Sequence, residues 1–503
     1  MSVCDRSQFA VLVVVAMCMA FAACGQIDSS TGDQREQGRP NIVLILVDDL
    51  GWSDLAVQGS SFYETPNIDA MASTGVRFTN AYASAPICSP TRAALLTGKH
   101  PASLQITNWI PGDDPLDRPL IGPAIRHQLP LDEFTIAEAL KAEGYATYFA
   151  GKWHLGDGVF LPQNQGFDVN VGGVALGRPP GGYYSPYSNP ALVDGPDGEY
   201  LTDRLTSETI RFFEQNHDRP FFALLSFYAV HTPLQGADRF MEKYEYKSRS
   251  IGQSDEPGQV AEHAGYTKQR QDNVAYASMV HALDENVGRL VAALDELELL
   301  ENTYIFFTSD NGGRSTLYGA GDATSNLPLR AGKGWLYEGG IRVPLIVSGP
   351  GLDGGAVRDS ALVTSTDFYP TILDLAGAES IPQQHQDGVN FKDALLAGRK
   401  TERNNVVSYF PHYHGSASVP SIAIRRGRYK LIQFLETNEI ELYDLEEDIG
   451  ESINIVDSKR EVASELLGLI EQWRVDIGAM PPTLNENYVP GEEQLNFRGL
   501  GPQ

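Results

Sequence analysis

The sequence predicts an α/β fold: a doubly wound, mostly parallel sheet flanked by helices, with a smaller C-terminal subdomain built on an antiparallel sheet. Three observations predict it. Five short apolar runs read as strands buried on both faces: Asn41–Val47, 145–150, 221–227, 303–308 and 343–347. Helical patterns alternate with them, at 135–143 and over 272–299, where Val280, Leu283, Val287, Val291, Leu294 and Leu297 recur at steps of three and four. After about Gly388 the texture changes: 406–410, 423–434 and 440–445 read as a small antiparallel sheet with turns at Arg426-Gly427 and Thr437-Asn438, closed by a helix over 460–473.

Taken in order, the chain starts with an export leader. Residues 10–23 are apolar apart from Cys18, a run too short for a membrane span and followed by small residues, so 1–23 reads as a signal peptide. Phe21-Ala22-Ala23-Cys24-Gly25 resembles a bacterial lipobox with Phe21 in place of the usual leucine, which makes Cys24 a candidate for lipidation. Ala20-Phe21-Ala22 also serves as an ordinary cleavage site, so a lipid anchor and soluble secretion both stay open. The expectation is an exported bacterial protein, periplasmic or membrane-anchored. The polar run 24–39 reads as a flexible tether, 40–387 as the main domain, 388–480 as the C-terminal α+β subdomain and 481–503 as a tail. Two long connections, 172–190 and 235–271, read as loops that carry function or move.

The 503 residues carry 38 Lys and Arg against 65 Asp and Glu, a formal net charge of −27. That acidity excludes nucleic acid as a partner and requires a local cationic cluster for any anionic substrate. Three of the four cysteines, Cys4, Cys18 and Cys24, lie in the first 24 residues. With Cys24 lipidated or removed, Cys88 is alone in the folded body, and internal disulfides are impossible.

The polar residues that follow the strands share a position. Asp48 and Asp49 end the first strand, Lys152 and His154 follow the next, His231 the third, and Asp310 and Asn311 the fourth. Ligands bind outside the carboxyl ends of such strands, so these groups converge on one rim. Singly, each has a plain structural role open to it, as a helix cap, a bonded core histidine or a surface charge. Together, the four oxygen donors suit a hard divalent ion, Ca²⁺ or Mg²⁺, rather than zinc. Lys152, His154, His231, Arg92 and Lys333 add protons and positive charge suited to a tetrahedral oxyanion ester. Cys88 stands where a helix begins, with Ser89 as the expected cap, Pro90 at the first helical position and Arg92 one turn along the same face.

"CSPTRAALLTG", from Cys88, resembles the C-x-P-x-R signature of the type I sulfatases, members of the alkaline-phosphatase group, and "VDDLG", "GKWHLG", "HTPLQ", "SDNGG" and "LRAGKGWLYEGGIRVPLIV" follow the family's blocks in order. The resemblance implies a sulfuric ester hydrolase in which a maturation enzyme oxidises Cys88 to formylglycine. It implies calcium held by Asp48, Asp49, Asp310, Asn311 and residue 88, with Arg92 holding the aldehyde hydrate. Lys152, His231 and Lys333 would grip the sulfate and protonate the departing alcohol, and His154 would release sulfate from residue 88. "ITNWIPG" and "FPHYHGSA" resemble blocks of bacterial sulfatases acting on sulfated galactose or N-acetylgalactosamine in polysaccharides. His412 and His414 are therefore candidate substrate ligands, and Tyr183, Tyr184 and Tyr187 candidate stacking platforms. The alternatives are a phosphonate or phosphate ester hydrolase of the same superfamily, or a lipoprotein that binds sulfated glycan without cleaving it.

Overall fold

In the computed structural model, residues 38–251, 257–318, 323–491 and 493 are described. The leader 1–23, Cys24, the tether as far as residue 37 and the end of the tail lie outside them.

Asn41–Val47 (β1) is buried at all seven positions because it lies inside an eight-stranded sheet with both faces covered. The other strands are Val76–Tyr82 (β2), Ala146–Gly151 (β3), Val169–Val171 (β4), Phe221–Ser226 (β5), Thr303–Ser309 (β6), Leu345–Ser348 (β7) and Ala356–Thr364 (β8). Their order across the sheet is β8-β2-β7-β6-β1-β5-β3-β4. All neighbours are parallel except β7, which runs antiparallel to both β2 and β6.

The alternation of side chains along β1 divides the core. Val43, Ile45 and Val47 face the helices Leu201–Gln215 and Val274–Glu296. Ile42, Leu44 and Leu46 face Cys88–Thr97, Ile136–Ala142 and Phe368–Leu375. Each fully buried aliphatic chain contributes about 1.5–3 kcal/mol. These layers hold the sheet rigid, so residues just past its strands are fixed in space.

The predicted central strands are observed, with ends shifted by one or two residues. The strands β2 and β8 were not legible. The first half of β8 alternates between exposed and half-buried residues at the sheet edge, so no continuous apolar run marks it. The segment 235–271 is not an open loop. It contains the helix Asp238–Ile251 and a hairpin, Gln259–Glu262 with Gly265–Lys268. The helix was masked by its charge; only one stripe, including Phe240 and buried Tyr244, packs against the Val274–Glu296 helix through His281.

The C-terminal sheet is antiparallel, in chain order: Asn405–Phe410, Ser421–Arg426, Tyr429–Phe434 and Ile440–Asp444. The helix Arg460–Ile477 covers one face with Ala463, Leu466 and Ile470. Phe391, Ala394 and Leu395 still pack in the main core. Beyond the helix, Thr483–Leu484 pairs with Leu120–Ile121. Among the described residues no helix is long and apolar enough to cross a membrane.

Candidate active site

Strand register builds the site. Val47 pairs with Ser309 in the parallel β1/β6 ladder, so Asp48 and Asp310 emerge side by side one residue later. On the other side of β1, Leu46 pairs with Ser226, and Ser226 pairs with Gly151. Lys152 therefore leaves the sheet at the same level, its amide donating to the Ser226 carbonyl at 2.7 Å. Asp49 takes a left-handed turn, φ 60°, and its amide donates to the Asp310 carboxylate at 3.2 Å.

The charges interlock. Lys152 Nζ lies 2.7 Å from Asp48 Oδ2, and Lys333 Nζ lies 2.7 Å from Asp49 Oδ1. Arg92 Nε donates to Asp310 Oδ2 at 2.8 Å, and its Nη2 stands 3.7 Å from Asp48 Oδ1. Arg92 Nη1 donates to the Lys152 carbonyl and to Ser226 Oγ, at 2.8 and 2.6 Å. Cys88 Sγ sits between the groups, 3.5 Å from Asp48 Oδ1 and 3.4 Å from Lys333 Nζ. All of these side chains are buried.

The titrations follow from that burial. Burial pushes the Cys88 thiol up to about 12 despite Lys152 and Lys333, so the unmodified residue is a protonated thiol at neutral pH and not a thiolate nucleophile. Burial raises Asp310 to about 6 against the pull of Arg92. At Asp49, Lys333, His231 and Lys152 overcome the effect of burial and hold the carboxyl well below its ordinary range. Burial also opposes charge on Lys333, but Asp49 keeps its ammonium above its ordinary range.

Asp48, Asp49, Cys88 and His231 each offer a ligand atom, all within 4.8 Å of one another. Asn311 donates its Nδ2 to Asp49 Oδ1 at 2.9 Å, yet its Oδ1 is buried with no hydrogen-bond partner. Leaving such an acceptor unmade costs about 1–3 kcal/mol. An orphaned amide oxygen beside three buried carboxylates fits a hard, oxygen-preferring cation.

The histidines divide by what their nitrogens do. His154 has a left-handed backbone, φ 60°, and its Nε2 donates to the Ile110 carbonyl at 2.6 Å. Its Nδ1 is buried without a partner. Burial, with Lys152 and Arg92 near, holds the ring well below its ordinary range, so Nδ1 is a free base. His231 Nδ1 bonds the Thr232 carbonyl at 2.8 Å, while its Nε2 stands 3.8 Å from Asp49 Oδ2. Tyr183 fixes this turn by donating to the Tyr228 and His231 carbonyls. His414 Nδ1 accepts from the Ser416 amide at 3.2 Å, and burial beside Lys333 lowers it to about 3. The ring is thus neutral, with its proton on Nε2.

A cavity of about 640 Å³ opens above these groups. Cys88, His154, His231, Lys333 and His414 line its base and sides. His412 is not brought there. Its Nδ1 bonds Asp114 and its Nε2 bonds Thr107, both at 2.8 Å, so both nitrogens are spent on holding a loop. Tyr183 and Tyr187 are buried in the core, and Tyr184 bonds the Gly236 carbonyl; none of the three lines the cavity. Ser89 does not cap its helix. The helix starts at Cys88, with Ile87 before it, which puts Pro90 at the third position and not the first. Ser89 Oγ instead donates to the His154 carbonyl and accepts from the Ile110 amide.

The cavity adds Trp109, His127, Leu176 and Arg178, which sequence reasoning missed. Trp109 lay within a noted block; Arg178 lay in a Gly/Pro-rich stretch where nothing marks one residue.

Known proteins resemble this chain throughout. The family model described as Sulfatase matches residues 40–378, and that of the N-sulphoglucosamine sulphohydrolase C-terminal region matches 331–475. Arylsulfatase A of Bos taurus is 32% identical, with 86% of each chain covered. N-acetylgalactosamine-6-sulfatase of Sus scrofa is 31% identical, covering 91% of this chain and 88% of its own. The crystal structure of Ps i-CgsB in complex with k-i-k-neocarrahexaose superposes with a TM-score of 0.70 at 30% identity, covering 86% of this chain and 92% of that one.

Proposed function

This chain belongs to the sulfatase family and hydrolyses sulfate esters; on that premise we propose that it is an exported carbohydrate sulfatase acting on galactose or N-acetylgalactosamine O-sulfate, with Cys88 matured to formylglycine and a calcium ion at Asp48, Asp49, Asp310 and Asn311. The observation that carries the site assignment is the orphaned Asn311 Oδ1 among buried carboxylates, with Cys88 held between Asp48 and Lys333. The sugar class is supported by the N-acetylgalactosamine-6-sulfatase relative and by the neocarrahexaose-bound neighbour. Export is supported by the leader sequence, and Cys24 is the residue a lipid anchor would use.

An aldehyde hydrate at residue 88 supplies two hydroxyls on one carbon, so that one is able to take the sulfuryl group and the other to drive its release. The chain's own residues do the rest. Lys152, Lys333 and the Nε2–H of His414 present positive charge and donors where sulfate oxygens gather charge. Arg92, pinned by Asp310 and Ser226, fixes the first turn of the helix that carries residue 88. A sugar alkoxide leaves poorly, so it needs a proton from Lys333, which is held charged, or from His231 once its Nε2 has been protonated. His154 Nδ1, already the free base, is the group that would accept the proton of the hydrate's second hydroxyl. Apolar walls from Ile87, Trp109 and Ile110 exclude water.

The test is a screen of matured, calcium-loaded protein against defined sulfated mono- and disaccharides, with released sulfate measured. The reading expects release from galactose or N-acetylgalactosamine sulfates. It is overturned if aryl sulfate is cleaved while no sugar sulfate is. Mass spectrometry of the residue-88 peptide reads the aldehyde directly, and a thiol throughout in active protein would remove formylglycine from the account.

A further inference from the structure

We propose that Ser89 is a positioning residue: its hydroxyl holds the His154 imidazole in the Nε2–H tautomer and in register with residue 88, which keeps Nδ1 open as a base. This rests on the roles given above to His154 and residue 88. Ser89 is fully buried, adjoins Cys88 in the chain and spends its hydroxyl on two distant segments. Its Oγ donates to the His154 carbonyl at 3.0 Å and accepts from the Ile110 amide at 3.1 Å. Ile110 closes the ring of bonds, because its carbonyl accepts from His154 Nε2 at 2.6 Å. A carbonyl oxygen only accepts, so that bond requires the proton on Nε2 and leaves Nδ1 bare.

The other contacts to this segment do a different job. The His154 amide donates to the Val174 carbonyl at 3.3 Å, and the Gly177 backbone lies so close to the imidazole that a Cβ there would collide with it. Arg92 Nη1 donates to the Lys152 carbonyl at 2.8 Å, two residues earlier. These hold the backbone and confine the ring, but none of them bonds a ring nitrogen. The tautomer depends on where the Ile110 carbonyl stands, and the partner of the Ile110 amide is the Ser89 hydroxyl. Ser89 therefore ties three things together: the helix that carries residue 88, the backbone of His154 and the acceptor of its ring proton. Removing the hydroxyl strands the buried Ile110 amide and deprives the His154 carbonyl of a donor, and both groups relax by moving. A displacement of about 1 Å in a reacting group costs on the order of 10²-fold in rate.

The experiment compares wild type, Ser89→Ala and Ser89→Thr by two readouts. The first is nitrogen NMR of histidine-labelled protein in its Cys88 thiol form, with the His154 signals assigned by His154→Gln. Wild type is expected to show a protonated Nε2 and a bare Nδ1. Ser89→Ala is expected to move both signals toward the average of the two tautomers, and Ser89→Thr, which keeps a hydroxyl, to restore the wild-type pattern. The second readout is turnover of an aryl sulfate per mole of aldehyde at residue 88, the aldehyde being counted by mass spectrometry. Ser89→Ala is expected to lower kcat about 10–10²-fold with kcat/KM within about threefold, because only the release of sulfate is slowed. General loosening of the site would lower kcat/KM as far as kcat. If Ser89→Ala does not fold, Ser89→Val against Ser89→Thr, a pair differing in a methyl for a hydroxyl, replaces it. The proposal is overturned if the His154 signals of Ser89→Ala match wild type, or if kcat/KM falls as far as kcat. If active protein proves to carry a thiol at residue 88, the aldehyde reading fails by itself, and the NMR comparison on the thiol form still decides what Ser89 does.

Discussion

Two clusters of charge are buried in this protein, and they differ in what they leave undone. One is the rim of the main sheet, with Asp48, Asp49, Asp310, Arg92, Lys152 and Lys333. The other joins the C-terminal sheet to the main body. There Lys430 Nζ lies 2.9 Å from Glu338 Oε1 and 2.8 Å from Glu451 Oε1, and Arg342 Nε lies 2.9 Å from Glu338 Oε2. The Glu338 amide closes on Glu451 Oε2 at 2.6 Å. Every carboxylate in that junction has a cation within reach, and none of its residues lines the catalytic cavity. In the junction Glu451 Oε1 and Arg342 Nε also lack a hydrogen-bond partner, but each is met by an opposite charge, at 2.8 and 2.9 Å; at the rim the uncharged Asn311 Oδ1 and His154 Nδ1 have no hydrogen-bond partner, and Cys88, His154, His231 and Lys333 reach the cavity. Buried charge alone therefore does not mark a functional site. Unsatisfied acceptors beside a cavity do.

The contrast breaks most visibly at Cys88. Cys88→Ala is expected to lower sulfate release by more than about 10³-fold with the melting temperature within a few degrees of wild type, measured by sulfate assay and thermal denaturation. Next, His154→Ala is expected to lower kcat about 10²–10⁴-fold. The alcohol product should then appear as a burst of about one equivalent ahead of slow turnover, whereas a purely structural role would give no burst.

The junction predicts the opposite split. Lys430→Met leaves two buried carboxylates without their shared cation, at a cost of about 3–5 kcal/mol. Denaturant unfolding should show that loss, while kcat per folded molecule stays at the wild-type value; equal stability with lower kcat would erase the distinction. Gly177→Ala sharpens the comparison from the rim side. Its Cβ meets the His154 ring, so kcat should fall about tenfold with little change in melting temperature.

The smallest effect is on pH. Burial raises Glu451 from its ordinary 4.5 to about 7, against Lys430. The folded state thus holds a proton that the unfolded state releases, and this pair's contribution to stability falls as pH rises from about 4.5 to about 7. Glu451→Gln should flatten that part of the stability profile; a profile of unchanged slope would remove Glu451 as its cause.

Much of the rim was legible before any coordinates. Asp48, Asp310 and Lys152 are each the first residue after a strand, and parallel register alone brings such residues together. The misreadings share a different cause. His412 has the same local appearance as His414, two residues away, yet one spends both nitrogens on Asp114 and Thr107 while the other keeps Nε2 for the cavity. Ser89 has a capping residue's identity but bonds to His154 and Ile110, far away in sequence. Tyr183 looked like a sugar platform and is a buried brace for the His231 turn.

Read alone, the sequence determined the sheet's interior strands, the oxygen-rich donor set and the isolated Cys88, because apolar runs, strand ends and residue chemistry are local properties. Only the tertiary structure decided which acceptors stay unsatisfied, which tautomer His154 adopts and which side chains reach the cavity mouth. Those outcomes depend on partners up to several hundred residues away, and a hydrogen bond made elsewhere in the chain is invisible until folding brings its two ends together.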